Sequence, residues 1–106
     1  MKELIKILNK NTPQKIDHLT TFTRAICESG NIVFINELNN TEGIKFDKFD
    51  KTQIPIFKNI QHRVLKSLYC DSLAELHELT SSIIWRYNLA DKKFTEFEFK
   101  KSDCKR

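Results

Sequence analysis

Three cysteines and three histidines are the side chains of this chain that could do nucleophilic or metal chemistry. They are Cys27, Cys70, Cys104, His18, His62 and His77. No two cysteines have Cys-x-x-Cys spacing, and no histidine belongs to a zinc-binding His-Glu-x-x-His pattern. A metal site would need three distant segments to converge. We therefore predict no metal site and no cofactor.

Cys27 and Cys70 are the candidate nucleophiles. Cys27 follows Ile26 in an apolar stripe, and Cys70 lies between Tyr69 and Asp71. Free cysteine is among the most buried residue types, so a structural role is favoured over a catalytic one. The odd number of cysteines argues against a disulfide framework. Together these features predict a cytoplasmic protein with reduced thiols.

Glu96 and Glu98 are spaced as a pair of carboxylates on one strand face, about 7 Å apart, which would suit acid–base chemistry. Lys92, Lys93 and Lys100 lie around them, and a solvated, charged edge strand explains this pattern better. With only two glycines, the chain cannot build a glycine-rich phosphate-binding loop. The sequence therefore predicts that the protein is not an enzyme.

Length and composition bound the architecture. The chain has 106 residues, of which 40% are hydrophobic and 30% charged, which predicts one soluble domain over 1–106. No apolar run approaches the ~18 residues of a membrane helix, and the N-terminus lacks a signal-peptide pattern. The net charge of +4 favours a partner with an acidic surface. Acidic residues lie between the basic ones along most of the chain, so the positive charge is concentrated only near the C-terminus.

The elements that must position these residues are read from apolar periodicity. Helical spacing predicts four helices, over 2–9, 13–28, 59–68 and 72–80. Alternating or β-branched runs predict five strands, over 31–36, 44–49, 54–57, 83–87 and 93–100. The polar tail 101–106 is predicted to fray. This order predicts an α+β domain whose antiparallel or mixed sheet of about five strands has helices packed on one face.

Aromatic residues on the predicted strands indicate a contact surface. The chain has eight Phe, two Tyr and one Trp. Helices on one sheet face would leave the other face open, unless the second pair of helices forms another layer there. Interface hot spots favour large aromatic side chains. The predicted partner-binding residues are Trp85, Tyr87, Lys92, Lys93, Phe97 and Lys100.

Two hypotheses for function follow. The first is a small non-enzymatic protein-binding module, an immunity protein or inhibitor that neutralises a bacterial toxin or effector. The second is a basic nucleic-acid-binding protein that uses the segment 92–106, where phenylalanines between lysines resemble a stacking platform for single strands. One face of that strand must pack on helices, which favours the first hypothesis.

Several short motifs carry a family resemblance over about residues 3–100. They are Phe22-Thr-Arg-Ala-Ile26 before the strand Ile32–Ile35, then Ile54-Pro-Ile-Phe57, and Asp71–Leu79 leading to a strand with Asn88. In these motifs the chain resembles the N-terminal domain of the SseB (enhanced serine sensitivity) family. It departs from the family pattern at Lys58-Asn59, where small hydroxyl residues are usual, and at Leu89, where an Asn-Pro pair is expected. The resemblance implies an α+β domain without established catalytic residues, often beside secretion or toxin systems.

Overall fold

The described residues form one mixed sheet of five strands. A computed structural model describes residues 2–41, 45–90 and 92–104. The strands are β1 (Gln14–Lys15), β2 (Thr20–Glu28), β3 (Asn31–Leu38), β4 (Ser82–Leu89) and β5 (Lys92–Lys100). They lie side by side in the order β1-β2-β3-β4-β5. The β3–β4 pair is parallel and the other pairs are antiparallel.

Among the described residues, two α-helices accompany the sheet. Helix α1 (Lys2–Leu8) comes first, and α2 (Gln53–Ser67) belongs to the crossover that the parallel β3–β4 pair requires. Helix α2 continues into a π-type turn at Leu68–Ser72, and 3-10 helices lie at Phe46–Lys48, Ala74–Glu78 and Lys101–Cys104. Side chains of both α-helices pack against the same core. The predicted α+β domain with a mixed sheet is confirmed.

The core lies between the helical side and one face of the sheet. Successive side chains of a strand point to opposite faces, so alternate residues of each strand enter it. They include Ile32 and Phe34 of β3, Ile83, Trp85 and Tyr87 of β4, and Phe97 and Phe99 of β5. Leu65 of α2 and Tyr69 of the following turn pack against them from the helical side.

The largest difference from the sequence prediction lies at 13–28, which was predicted as a helix and forms β1 and β2. β2 pairs with β3 from Thr20↔Leu38 to Glu28↔Asn31. Ser29 and Gly30 have φ angles of 54° and 80°, the two positive values of a type I′ hairpin turn. Gly30 therefore lies in the tight turn that connects β2 to β3.

The crossover also differs from the prediction. Of the predicted strand 44–49, residue 44 lies outside the described residues, and Phe46–Lys48 is a 3-10 helix. The predicted strand 54–57 is the start of α2, where the missing N–H of Pro55 costs no helical bond. Asp50 Oδ1 accepts hydrogen bonds from the N–H groups of Thr52 and Gln53 at 2.8 and 2.9 Å, which satisfies donors at this helix start. The predicted helix 72–80 is the shorter 3-10 helix.

A disulfide holds the C-terminal segment, which was predicted to fray. Cys104 is bonded to Cys70, with Cα atoms 5.6 Å apart. Lys101–Cys104 forms a 3-10 helix, and Asp103 Oδ2 accepts a hydrogen bond from the Lys100 N–H at 2.8 Å. Residues 105 and 106 lie outside the described residues. The bond fastens this segment to the turn that ends α2.

Candidate partner-binding surface

The structure places the predicted aromatic contact residues in the core. Trp85 and Tyr87 are each 5% exposed, and Phe97 is 8% exposed. The ring centroids of Phe34 and Phe99 lie 5.4 and 5.7 Å from that of Trp85. The expectation that these aromatic residues form an open sheet face is wrong, because their strand positions point toward the helices.

The predicted lysines are exposed but do not alternate with exposed rings. Lys92, Lys93 and Lys100 lie on the edge strand β5. Lys93 Nζ lies 3.3 Å from Glu96 Oε2. Because Phe97 and Phe99 belong to the core and Phe94 packs against it, the strand lacks the exposed rings that base stacking requires. Charged side chains on an edge strand protect it from pairing with other chains.

Glu96 and Glu98 belong to a charged network on the sheet face opposite the core. Arg86 Nη2 lies 3.1 Å from Glu28 Oε1 and 3.5 Å from Glu96 Oε1. The Arg86 guanidinium holds the pKa of Glu28 below its ordinary value. Glu98 Oε2 accepts a hydrogen bond from Ser82 Oγ at 2.8 Å. Both carboxylates therefore bind neighbouring side chains, and they do not stand apart as an acid–base pair.

Apolar residues on the same sheet face are also shielded from water. Val33 and Ile84 are paired across β3 and β4 on the face opposite the core, yet they are only 0% and 9% exposed. Long charged side chains can lie over apolar surface while their charged ends reach water. The face opposite the core therefore offers a partner little apolar surface.

Cys70 and Cys104 form the disulfide, and His62 and His77 pack against aromatic rings. Cys27 is a free, exposed thiol on β2, whereas the sequence favoured a buried one. The His77 ring stacks on Tyr69 with centroids 4.1 Å apart, and the His62 ring lies 5.1 Å from that of Phe99. In the part of the chain that the structure describes, no cluster of His, Cys, Asp and Glu could hold a metal ion.

Helix α2 carries a row of exposed aliphatic side chains. Ile56, Ile60 and Val64 are 54%, 48% and 57% exposed, and Leu68 beyond the helix end is 39% exposed. Residues four apart lie above one another on one face of a helix. We call these four residues the α2 ridge. Phe57 and Leu65 of the same helix face the core, so the ridge is turned away from it.

A shallow, open depression lies beside the centre of the ridge. Its volume is about 530 Å³, and Ile60, Arg63, Val64 and Ser67 line it. Positions i, i+3, i+4 and i+7 are the four residues that receive one side chain of a neighbouring helix in knobs-into-holes packing. We call this depression the ridge hole.

The charges of α2 are all positive. Between Gln53 and Ser67 the charged residues are Lys58, Arg63 and Lys66. Among the described ion pairs, none involves these three residues. The carboxylate of Asp50, before the helix, accepts hydrogen bonds from the N–H groups of Gln53 and Thr52. These bonds lower the pKa of the Asp50 carboxyl.

Arg63 lines the ridge hole, and Lys66 is its i+3 neighbour on the side of the helix away from the ridge. We call these two residues the positive rim. Just beyond the helix end, Asp71 Oδ2 accepts a hydrogen bond from Ser67 Oγ at 3.4 Å, so one carboxylate lies close to the hole.

Comparisons with known proteins define the fold. No family model and no curated protein matches the chain. The chain is similar to the crystal structure of a "putative secreted protein" from Pseudomonas aeruginosa, with a TM-score of 0.77 and 9% sequence identity. The similarity covers 98% of this chain and 88% of that one. At this identity it shows the α+β fold alone, and the resemblance to the SseB family stays a prediction.

The prediction of a cytoplasmic protein with reduced thiols is contradicted. Cys70 and Cys104 form a disulfide, and disulfides persist mainly in oxidising compartments. The structural neighbour is itself described as secreted. Among the described residues, no helix is long and apolar enough to span a membrane.

Proposed function

We propose that the chain is a non-enzymatic protein-binding module that works outside the cytoplasm, as an inhibitor or immunity protein that occludes a toxin or effector. The α2 ridge carries this proposal. It combines exposed aliphatic side chains in one row with charges of a single sign. We therefore propose α2 as the binding surface, in place of the aromatic residues of the sheet.

The ridge suits protein binding for two physical reasons. Burying apolar surface yields about 25 cal/mol per Å², and contiguous apolar patches on monomers often mark contact sites. Arg63 at the edge of the ridge, with Lys66 one turn further along the helix, would attract an acidic partner and repel a basic one, which gives specificity and a faster encounter. A second copy of this chain fits poorly, because its own positive rim would meet the same charges.

Nucleic acid is the alternative that the sequence raised, through the segment 92–106. Lys93 is paired with Glu96, and Lys101 with Glu78 at 3.0 Å. The rings of Phe97 and Phe99 lie in the core. These contacts pair two of the lysines of that segment and bury two of its rings, so we favour a protein partner.

Affinity capture with charge-reversed baits tests the proposal. The wild-type chain is used to capture a protein from periplasmic and extracellular fractions of the source organism, and the dissociation constant of the purified pair is measured. The double variant Arg63→Glu/Lys66→Glu should bind at least tenfold more weakly, because it reverses the rim of the ridge. The captured protein should lose its own activity in the complex.

The matched control is Lys92→Glu/Lys93→Glu, which makes the same change in net charge on the edge strand β5. It should bind with nearly wild-type affinity. If the β5 variant loses binding and the α2 variant keeps it, the surface is misplaced. If the captured ligand is nucleic acid, the proposal of a protein partner fails.

A further inference from the structure

We infer that the element which covers the α2 ridge is an acidic, amphipathic α-helix of the partner. This inference rests on the proposed function and names the kind of partner that the same surface fits. Three features of α2 carry it: the spacing of the ridge, the ridge hole and the sign of the neighbouring charges.

The spacing of the ridge matches the surface of another helix. Ile56 and Leu68 are twelve positions apart, which corresponds to about 18 Å along a helix axis, or a little over three turns. Rows of residues four apart are the ridges that interdigitate when two helices pack. An extended peptide gains most of its affinity from hydrogen bonds to an exposed sheet edge, and the interior of a helix offers none.

The ridge hole provides a seat for one side chain of the partner helix. Ile60 and Val64 form its apolar wall, and Ser67 leaves room because its side chain is small. A leucine-sized knob fits such a four-residue hole in helix–helix packing. The neighbouring turns of the partner would then lie over Ile56 and Leu68.

The charges beside the hole select acidic residues on the partner. Arg63 lines the hole, and its planar guanidinium can bind one carboxylate through two parallel hydrogen bonds. Lys66 is three residues further along the same helix. A partner helix with leucines on one face and glutamates on its flanks would meet both the apolar row and the positive rim.

A chemical-shift titration of the full, ¹⁵N-labelled chain tests the inference with three synthetic peptides. The first is an amphipathic 21-residue helix with leucines at a 3–4 spacing and flanking glutamates. The second has lysine in place of every glutamate. The third has the acidic composition of the first but a central proline, which breaks the helix. Vesicles of phosphatidylglycerol form a fourth arm.

The acidic helix should shift amide signals of 56–68 saturably, with at least tenfold higher affinity than either control peptide. The variant Ile60→Ser/Val64→Ser should abolish the shifts while the rest of its spectrum stays dispersed, because both side chains are exposed. The variant Lys92→Ser/Lys93→Ser should bind like the wild type.

The other outcomes separate the inference from the proposed function. Equal binding of the proline-broken peptide would overturn the helical partner but leave an acidic protein partner standing. Absence of saturable shifts at 56–68 with the acidic helix would also overturn the inference. Shifts at the ridge with vesicles and with no peptide would contradict both the helical partner and the proposed function.

Discussion

Trp85 contributes to the stability of the core and is too buried to contact a partner. It is 5% exposed and contacts the rings of Phe34 and Phe99. Sequence alternation correctly predicts that Trp85 and Tyr87 share a face. It cannot tell which face the helices cover, because apolar residues such as Val33 and Ile84 also lie on the opposite face. That choice depends on packing between elements distant in sequence.

Trp85→Ala should therefore destabilise the fold. Removing a buried aromatic ring typically costs about 3–5 kcal/mol in the free energy of unfolding. Ile60→Ala is the matched control on the ridge and should change stability by less than about 1 kcal/mol, because Ile60 is 48% exposed. Urea unfolding of both variants measures the difference. Similar losses for the two would contradict the assignment of Trp85 to the core and Ile60 to the surface.

Tyr87 makes the stability of the fold depend on pH in the alkaline range. Burial, together with the nearby Asp17 carboxylate, raises the pKa of its phenol to about 12. The unfolded chain has a pKa near 10, so this contribution to stability is fully present below about pH 10 and lost as the pH rises toward 12. The loss is roughly 2–3 kcal/mol for a shift of this size.

Urea unfolding at pH 8 and pH 11 checks this expectation. The wild type should lose more stability between the two pH values than Tyr87→Phe, which cannot ionise at this position. Both chains keep the same lysines, so the difference isolates the phenol. An equal loss in both chains would contradict the raised pKa.

At the scale of elements, α1, β3, β4 and β5 follow from local patterns, whereas β2 does not. Ile16, Leu19, Phe22 and Ile26 satisfy helical spacing, yet this segment pairs with β3 through a tight turn at Ser29-Gly30. Strand pairing is a non-local interaction that periodicity within one segment cannot reveal.

The candidate surface was missed for a related reason. The sequence predicts a helix only from Asn59 and a strand over 54–57, so Ile56 falls in a different predicted element from Ile60 and Val64. The actual helix begins at Gln53, and Phe57 and Leu65 set its inward face. The signal available in the sequence was the repeat at 56, 60, 64 and 68 in a segment whose charges are all positive.

The disulfide should contribute substantially to stability. Cys70 and Cys104 are separated by 34 positions, and a cross-link over a loop of this size typically stabilises by about 2–4 kcal/mol. In a Cys27→Ser background, which removes the free thiol, Cys70→Ser/Cys104→Ser should lower the free energy of unfolding by that amount. Denaturant unfolding measures it. An unfolding midpoint that is the same with and without reductant would contradict the bond.

At the scale of the whole molecule, the two sides of the sheet have different roles. On the side opposite the core, Arg86 forms ion pairs with Glu28 and Glu96, and Val33 and Ile84 are almost fully buried. On the helical side, α2 presents an uncovered apolar row with a positive rim. This asymmetry predicts that a partner approaches from the helical side. The net charge of +4 is then less informative than the location of the positive charges on α2.

Site-specific photo-crosslinking tests the location of the partner most directly. A benzoylphenylalanine is placed at position 60 on the ridge, at 93 on the edge strand or at 98 on the face opposite the core, and each chain is irradiated in extracellular fractions of the source organism. We expect a protein adduct from position 60 that disappears in the Arg63→Glu/Lys66→Glu background. An adduct from position 93 or 98, with none from position 60, would contradict the assignment of partner binding to α2.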